Sequence, residues 1–300
     1  MKTQNSNAGK PSPAPGSDRM KGILFILMAA FFFSLMSVFV RLSGDVPTMQ
    51  KAFFRNIVAA VLAAVLLLRS GTGFYVKRPN IAALLLRCAF GTLGIICNFW
   101  AVDHMRIADA NMLNKLSPFF AILMSIFILQ ERPNRIEWIS VILAFIGAAF
   151  VAKPGAGLAS FPALIGIIGG FAAGTAYTFV RKLGLSGERG PVIVMYFSLF
   201  STVVLLPGLI MDYHPMTVRQ LLFLLLAGAS AAGGQLSVTA AYQHAPARDI
   251  SVFDYSQIVY AALFGFFLFG ELPDKWSFLG YAIIIGTSFA KWYLVTKRKT

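Results

Sequence analysis

Charge is scarce in this chain of 300 residues. Only 13% of them are Asp, Glu, Lys or Arg, where a soluble domain carries about 25%. Acidic side chains are scarcest, 12 Asp and Glu against 26 Lys and Arg. Cysteine is nearly absent. Cys88 and Cys97 lie nine residues apart in one apolar stretch, and at about 100° per residue they fall on opposite helix faces and cannot bond to each other. No CxxC or Cys/His cluster offers a metal site, and no residue pattern implies a cofactor. A GxxxxGK[ST] loop is missing, which excludes transport driven by a built-in ATPase. No nucleophile and base are arranged on one side, as an enzyme would need. The net charge of +14 comes without a basic stripe interleaved with aromatics, which argues against a nucleic-acid partner.

Apolar residues fill the space that charge leaves. They make up 57% of the chain, and the mean hydropathy is +0.72. Residues 1–21 are polar and rich in Ser, Pro, Asn and Gly, read as a disordered cytoplasmic tail without a cleavable signal pattern. Ten apolar segments follow, at about 22–41, 48–68, 80–101, 107–130, 136–152, 162–181, 191–211, 218–242, 248–270 and 276–296. Each comes close to the roughly 20 residues that cross a bilayer as a helix. Residues 297–300 form a short basic tail. With the N-terminus inside, the inner loops and tails hold 16 Lys and Arg and the outer ones 6. That asymmetry predicts an integral protein of the cytoplasmic membrane with both termini in the cytoplasm.

The segments repeat. A shift of 140 residues aligns "FVRLSG" (39–44) with "FVRKLG" (179–184), and pairs Gly94 with Gly234, His104 with His244, Asp109 with Asp249 and Glu131 with Glu271. An internal duplication is the natural reading. Each half holds five spans, an odd number, so the second copy is inverted in the membrane. The expected fold class is an all-α membrane protein of ten transmembrane helices in two inverted five-helix repeats, 22–153 and 162–296, with a site between them near mid-membrane.

Two stretches then carry a family resemblance: "LLLRCAFGTLGIICNFWAVDHMRIADANMLNKLSPFFAILMSIFILQERP" (84–133) and "GGQLSVTAAYQHAPARDISVFDYSQIVYAALFGFFLFGELPDKWSFLGYAIIIG" (233–286). Both resemble the EamA-type repeat of the drug/metabolite transporter superfamily. The likeness extends over about residues 22–296. "AFFRNIVAA" (52–60) further resembles the branch containing S-adenosylmethionine-type and organic-anion carriers. The resemblance implies a ten-helix carrier whose cavity is lined by the first four helices of each repeat, the fifth serving packing or homodimerisation. Lys115 departs from that pattern, since many relatives carry an apolar or small residue there.

Charges inside spans mark the candidate site, because a charge in mid-bilayer costs at least about 2.5–3.5 kcal/mol unless it faces a cavity or a partner. Arg55 and Lys115 lie about 10–12 Å in from the outer face at 1.5 Å per residue. Arg87 and Asp254 lie at similar depth from the inner face. Two readings stand: a binding site for a carboxylate, which Arg grips through paired hydrogen bonds, or an internally neutralised network that holds the halves together. Asn56, Asn98, Asn111, Asn114, Tyr177, Tyr196, Gln235, Tyr255 and Gln257 are the polar groups expected nearby. Asp254 is the only carboxylate well inside a span and is the candidate coupling group, with Arg87 expected to hold it ionised. Pro118 is expected to kink the fourth span beside Lys115, whose alternative partner is Asp109.

Other features read as structural. Gly166, Gly170 and Gly174 form one face for close helix packing. "HMRIAD" (104–109) and "HAPARD" (244–249) spell His-x4-Asp, a pairing found in acyltransferases. Inversion puts the copies on opposite membrane faces, so Asp109 and Asp249 read as helix caps. Glu131 and Glu271 read as turn anchors held by amides or by cations such as Arg132 and Lys275. The function expected is a secondary-active or facilitative carrier of a small polar metabolite, an organic anion or an amino-acid-like zwitterion. Export of amines or drug-like cations is the alternative, and an embedded acyltransferase the remote one. The partners are therefore a small molecule and the lipid bilayer.

Overall fold

The computed structural model describes residues 15–71, 73–104, 111, 113–152, 161–270 and 275–297. Asp109, Glu271 and the outermost residues of both tails lie outside them. All described elements are helical: α1 (Pro15–Leu42), α2 (Thr48–Arg69), a 3-10 turn (Arg78–Asn80), α3 (Ile81–His104), α4 (Ser117–Leu129), α5 (Arg135–Ala152), α6 (Phe161–Leu185), α7 (Gly190–Met211), α8 (Val218–His244), α9 (Ala247–Asp254), α10 (Ser256–Phe269) and α11 (Lys275–Lys297). Seven helical segments are long and apolar enough to cross a membrane, counting α9 and α10 as one broken span. With α4, α5 and α11 the described residues hold ten segments. α1 starts at Pro15, inside the stretch read as a disordered tail. Proline suits a first helical turn, where its missing N–H costs nothing, and Asp18 complements the positive helix N-terminus.

The molecule is apolar on the outside. Phe127, Ile210 and Val218 are 72%, 71% and 85% exposed, which burial in lipid explains and water would not. Within the bundle α1 packs along α8, α3 along α6, α2 along α7 and α5 along α11, while α4 crosses α6 and α10 crosses α1. Small residues permit these approaches. A Cβ on Gly170 would stand 2.8 Å from the Leu113 carbonyl, and one on Gly174 2.6 Å from the Ser117 carbonyl. The glycine face of α6 therefore packs directly on the backbone of the fourth span, as helices in lipid do when small residues meet. Cys88 and Cys97 are buried free thiols.

Loops gather at two ends. At one, Arg189 donates to the Tyr75 carbonyl (3.0 Å), Asn80 to the Glu188 carboxylate (2.9 Å) and Arg248 to the Arg132 carbonyl (2.9 Å). Arg19 pairs with Asp249 at 2.8 Å at the same end. At the other, Gln50 exchanges two hydrogen bonds with the backbone of His214 (3.0 and 3.1 Å).

Candidate functional site

Two helix breaks frame the centre of the bundle. In the fourth span the chain leaves the helix at Lys115 and Leu116, and α4 restarts at Ser117 with Pro118 in its first turn. Pro118 cannot donate to the turn before it, so the break falls where the sequence places it. The ninth span breaks at Tyr255, between α9 and α10. The breaks touch. The Tyr255 hydroxyl donates to the Lys115 carbonyl (2.8 Å), and the Ser251 hydroxyl to the Pro118 carbonyl (3.3 Å).

Lys115 is not an unpaired cation. Its ammonium pairs with the Asp254 carboxylate at 3.1 Å and donates to Gln257 Oε1 at 2.6 Å. It also lies 3.5 Å from the Asp254 carbonyl. That carbonyl is at the C-terminus of α9, where orphan acceptors and the negative end of the helix dipole favour an ammonium. The partner of Asp254 is thus Lys115, not Arg87. The pair is neutral, well packed and joins the two halves of the chain.

Arg87 is held otherwise. It is 2% exposed, donates to Gln235 Oε1 at 3.2 Å, and lies over the Phe197 ring at 3.9 Å and near the Tyr177 ring at 6.0 Å. Gly91, one turn along α3, leaves the room that its guanidinium fills. Tyr177 stacks on Tyr242 at 5.0 Å. Arg55 reaches the same neighbourhood from α2, and it, Arg87 and Asp254 all act electrostatically on Tyr177. Arg55 and Tyr177 are half-buried, whereas Arg87 is almost fully enclosed. Neither guanidinium has a carboxylate partner among the described residues. The Nε atoms of both are buried without any partner there.

The other expected residues scatter. Asn56 is buried but bonds back to the Ala52 carbonyl of its own helix at 2.9 Å. Asn98 is half-buried, and its Oδ1 lacks a partner among the described residues. Asn114 is half-buried and Asn111 exposed. Tyr196 stands apart, its hydroxyl on the Phe74 carbonyl (3.2 Å) in the α2–α3 connection. Phe197, one residue on and about 100° around the helix, faces Arg87 instead. Sequence reading missed Phe197 and Tyr242. An aromatic in an apolar span reads as packing unless the cation beside it is known. Asp249 caps nothing: Pro246 is the N-cap of α9, and Asp249 pairs with Arg19. Glu131 is held by Arg181 at 3.5 Å, not by Arg132. Burial pushes its carboxyl above the usual range, against the pull of Arg181 and Arg248.

A helical bundle with a lipid-facing exterior and a polar, charged centre defines an integral membrane protein. The chain belongs to the EamA-like transporter family, which matches it twice, over residues 20–153 and 160–290. It is 31% identical to the pseudopaline exporter CntI of Pseudomonas aeruginosa (strain UCBPP-PA14), over 88% of this chain and 93% of that one. It is 28% identical to a riboflavin transporter of Brucella anthropi, over 81% and 87%. Human solute carrier family 35 member G1 is 25% identical over 97% and 84%. A crystal structure of 16% identity superposes with a TM-score of 0.81 over 93% of this chain and 98% of its own, showing the same fold. Such relatives make the chain a transporter rather than an enzyme.

Proposed function

We propose that the chain is a secondary-active or facilitative carrier that moves a small organic anion, or an amino-acid-like zwitterion, by alternating access between two inverted halves. The observation that carries this reading is the pair Arg55 and Arg87. Two guanidiniums that cannot deprotonate stand deep in the bundle without a carboxylate among the described residues. Lys115, the third cation, is already neutralised by Asp254. An anionic substrate group completes the site.

The inverted repeat, 22–153 against 162–296, is supported by contacts between equivalent positions. Lys115 and Tyr255, 140 residues apart, bond to each other at the two breaks. Ser34 donates to the Gln257 carbonyl at 2.9 Å, and their equivalents meet as Gly174 against the Ser117 carbonyl. Such a two-fold arrangement suits rocking of one half against the other about a central site. Asp254, whose carboxylate meets Lys115 where the two helix breaks touch, is the candidate coupling group.

A thermal-shift screen of the purified protein against carboxylates, amino acids, nucleosides and amines tests the reading. Carboxylates or amino acids should stabilise it. Stabilisation by amines in their place would favour the export of cations and overturn the anion site.

A further inference from the structure

Resting on that reading, we infer that the substrate carries two anionic groups on one molecule, one for Arg55 and one for Arg87. Charge balance leads there. Arg55, Arg87, Lys115 and Asp254 are the charged groups brought together around the two helix breaks and Tyr177. Lys115 and Asp254 cancel at 3.1 Å, which leaves two positive charges that act on each other and on Tyr177. A substrate with one carboxylate would leave a guanidinium bare in a medium where uncompensated charge is costly. A dianion leaves none.

Geometry separates the two contacts. Arg55 is the eighth residue of α2 and Arg87 the seventh of α3, and consecutive spans run in opposite directions. Each Cα therefore lies about 10 Å from its own face of a hydrocarbon layer about 30 Å thick, leaving roughly 10 Å between them along the membrane normal. The two differ in stiffness. Arg87 is fixed by Gln235, Phe197 and the space at Gly91. Arg55 has no hydrogen bond or ion pair among the described residues, so no partner there fixes the position of its guanidinium. One fixed and one adjustable cation accept dicarboxylates of several lengths while rejecting monocarboxylates.

The test is binding to the full-length protein in detergent, measured calorimetrically. The probes are saturated dicarboxylates of rising chain length, their monomethyl esters, and diamines. The diacid should bind tighter than its own monoester by roughly tenfold or more, the worth of one charge-assisted contact. Arg55→Gln should bring diacid and monoester to parity, and Arg55→Lys should keep part of the difference. A monoester that binds the native protein as well as the diacid overturns the two-charge inference and leaves the anion carrier standing, as does an Arg55→Gln variant that keeps the preference. Diamines binding where no carboxylate binds overturns both.

Discussion

Lys115 illustrates how one residue's meaning depends on a partner 139 positions away in the chain. An ammonium in an apolar span invites a ligand, yet here Asp254 and Gln257 already occupy it. Both members of the pair are mostly buried, with side-chain exposures of 16% and 15%. Removing one strands the other, and a stranded buried charge costs about 3–5 kcal/mol, whereas replacing both with neutral groups of similar shape is often harmless. Lys115→Met should therefore lower the melting temperature of the purified protein sharply, and Asp254→Asn should do likewise. The double variant should recover most of the loss. Additive losses in the double variant would show that the two charges act independently. If the pair also carries the coupling proton, the double variant should fold yet lose the pH dependence of transport.

At the scale of elements, the crossing of α6 over the fourth span decides how closely the halves approach. Gly174→Ala would place a methyl group 2.6 Å from the Ser117 carbonyl and 2.7 Å from the Ala121 nitrogen. Backbone atoms cannot swing aside as a side chain can, so the variant should lose about 1–3 kcal/mol by overpacking. Gly286→Ala is the control. Nothing lies within 4 Å of that position, and alanine there should be neutral or stabilising by up to about 1 kcal/mol. Thermal unfolding of the two variants side by side checks both. The glycine face was legible in the sequence because a four-residue spacing depends only on the helix itself. The spans and the Pro118 break were legible for the same reason, being local. The side-chain pairings were not. Nothing in a one-dimensional pattern says that Lys115 meets Asp254, that Arg87 stacks on Phe197 rather than approaching Tyr196, or that Glu131 binds Arg181. Those depend on how far each helix is rotated about its own axis, and one residue of rotation exchanges an inward ring for an outward one.

For the whole molecule, the two ends of the bundle differ in charge. The end that holds Arg19 also gathers the α2–α3, α4–α5, α6–α7 and α8–α9 connections, through contacts such as Arg189 to Tyr75 and Arg248 to Arg132. Lys77, Arg78, Arg132, Arg135, Arg181, Lys182 and Arg189 belong to this end. Among the described residues, the opposite end, where Gln50 binds the backbone of His214, carries Arg41, Lys51, Arg219 and Lys275. Grouping the loops by contact thus separates basic from less basic surface, independently of any count along the sequence. Insertion leaves short Lys- and Arg-rich loops on the cytoplasmic side, so the Arg19 end should face the cytoplasm and the His214 end the outside. Single cysteines in a background lacking Cys88 and Cys97 read this directly. Tyr213→Cys, on an exposed residue of the α7–α8 loop, should react with a membrane-impermeant maleimide in intact cells. Lys10→Cys and Arg298→Cys should react only after permeabilisation. Labelling of either tail from outside would invert the assignment. It would also exchange the faces from which Arg55 and Arg87 approach the substrate, while leaving their pairing intact.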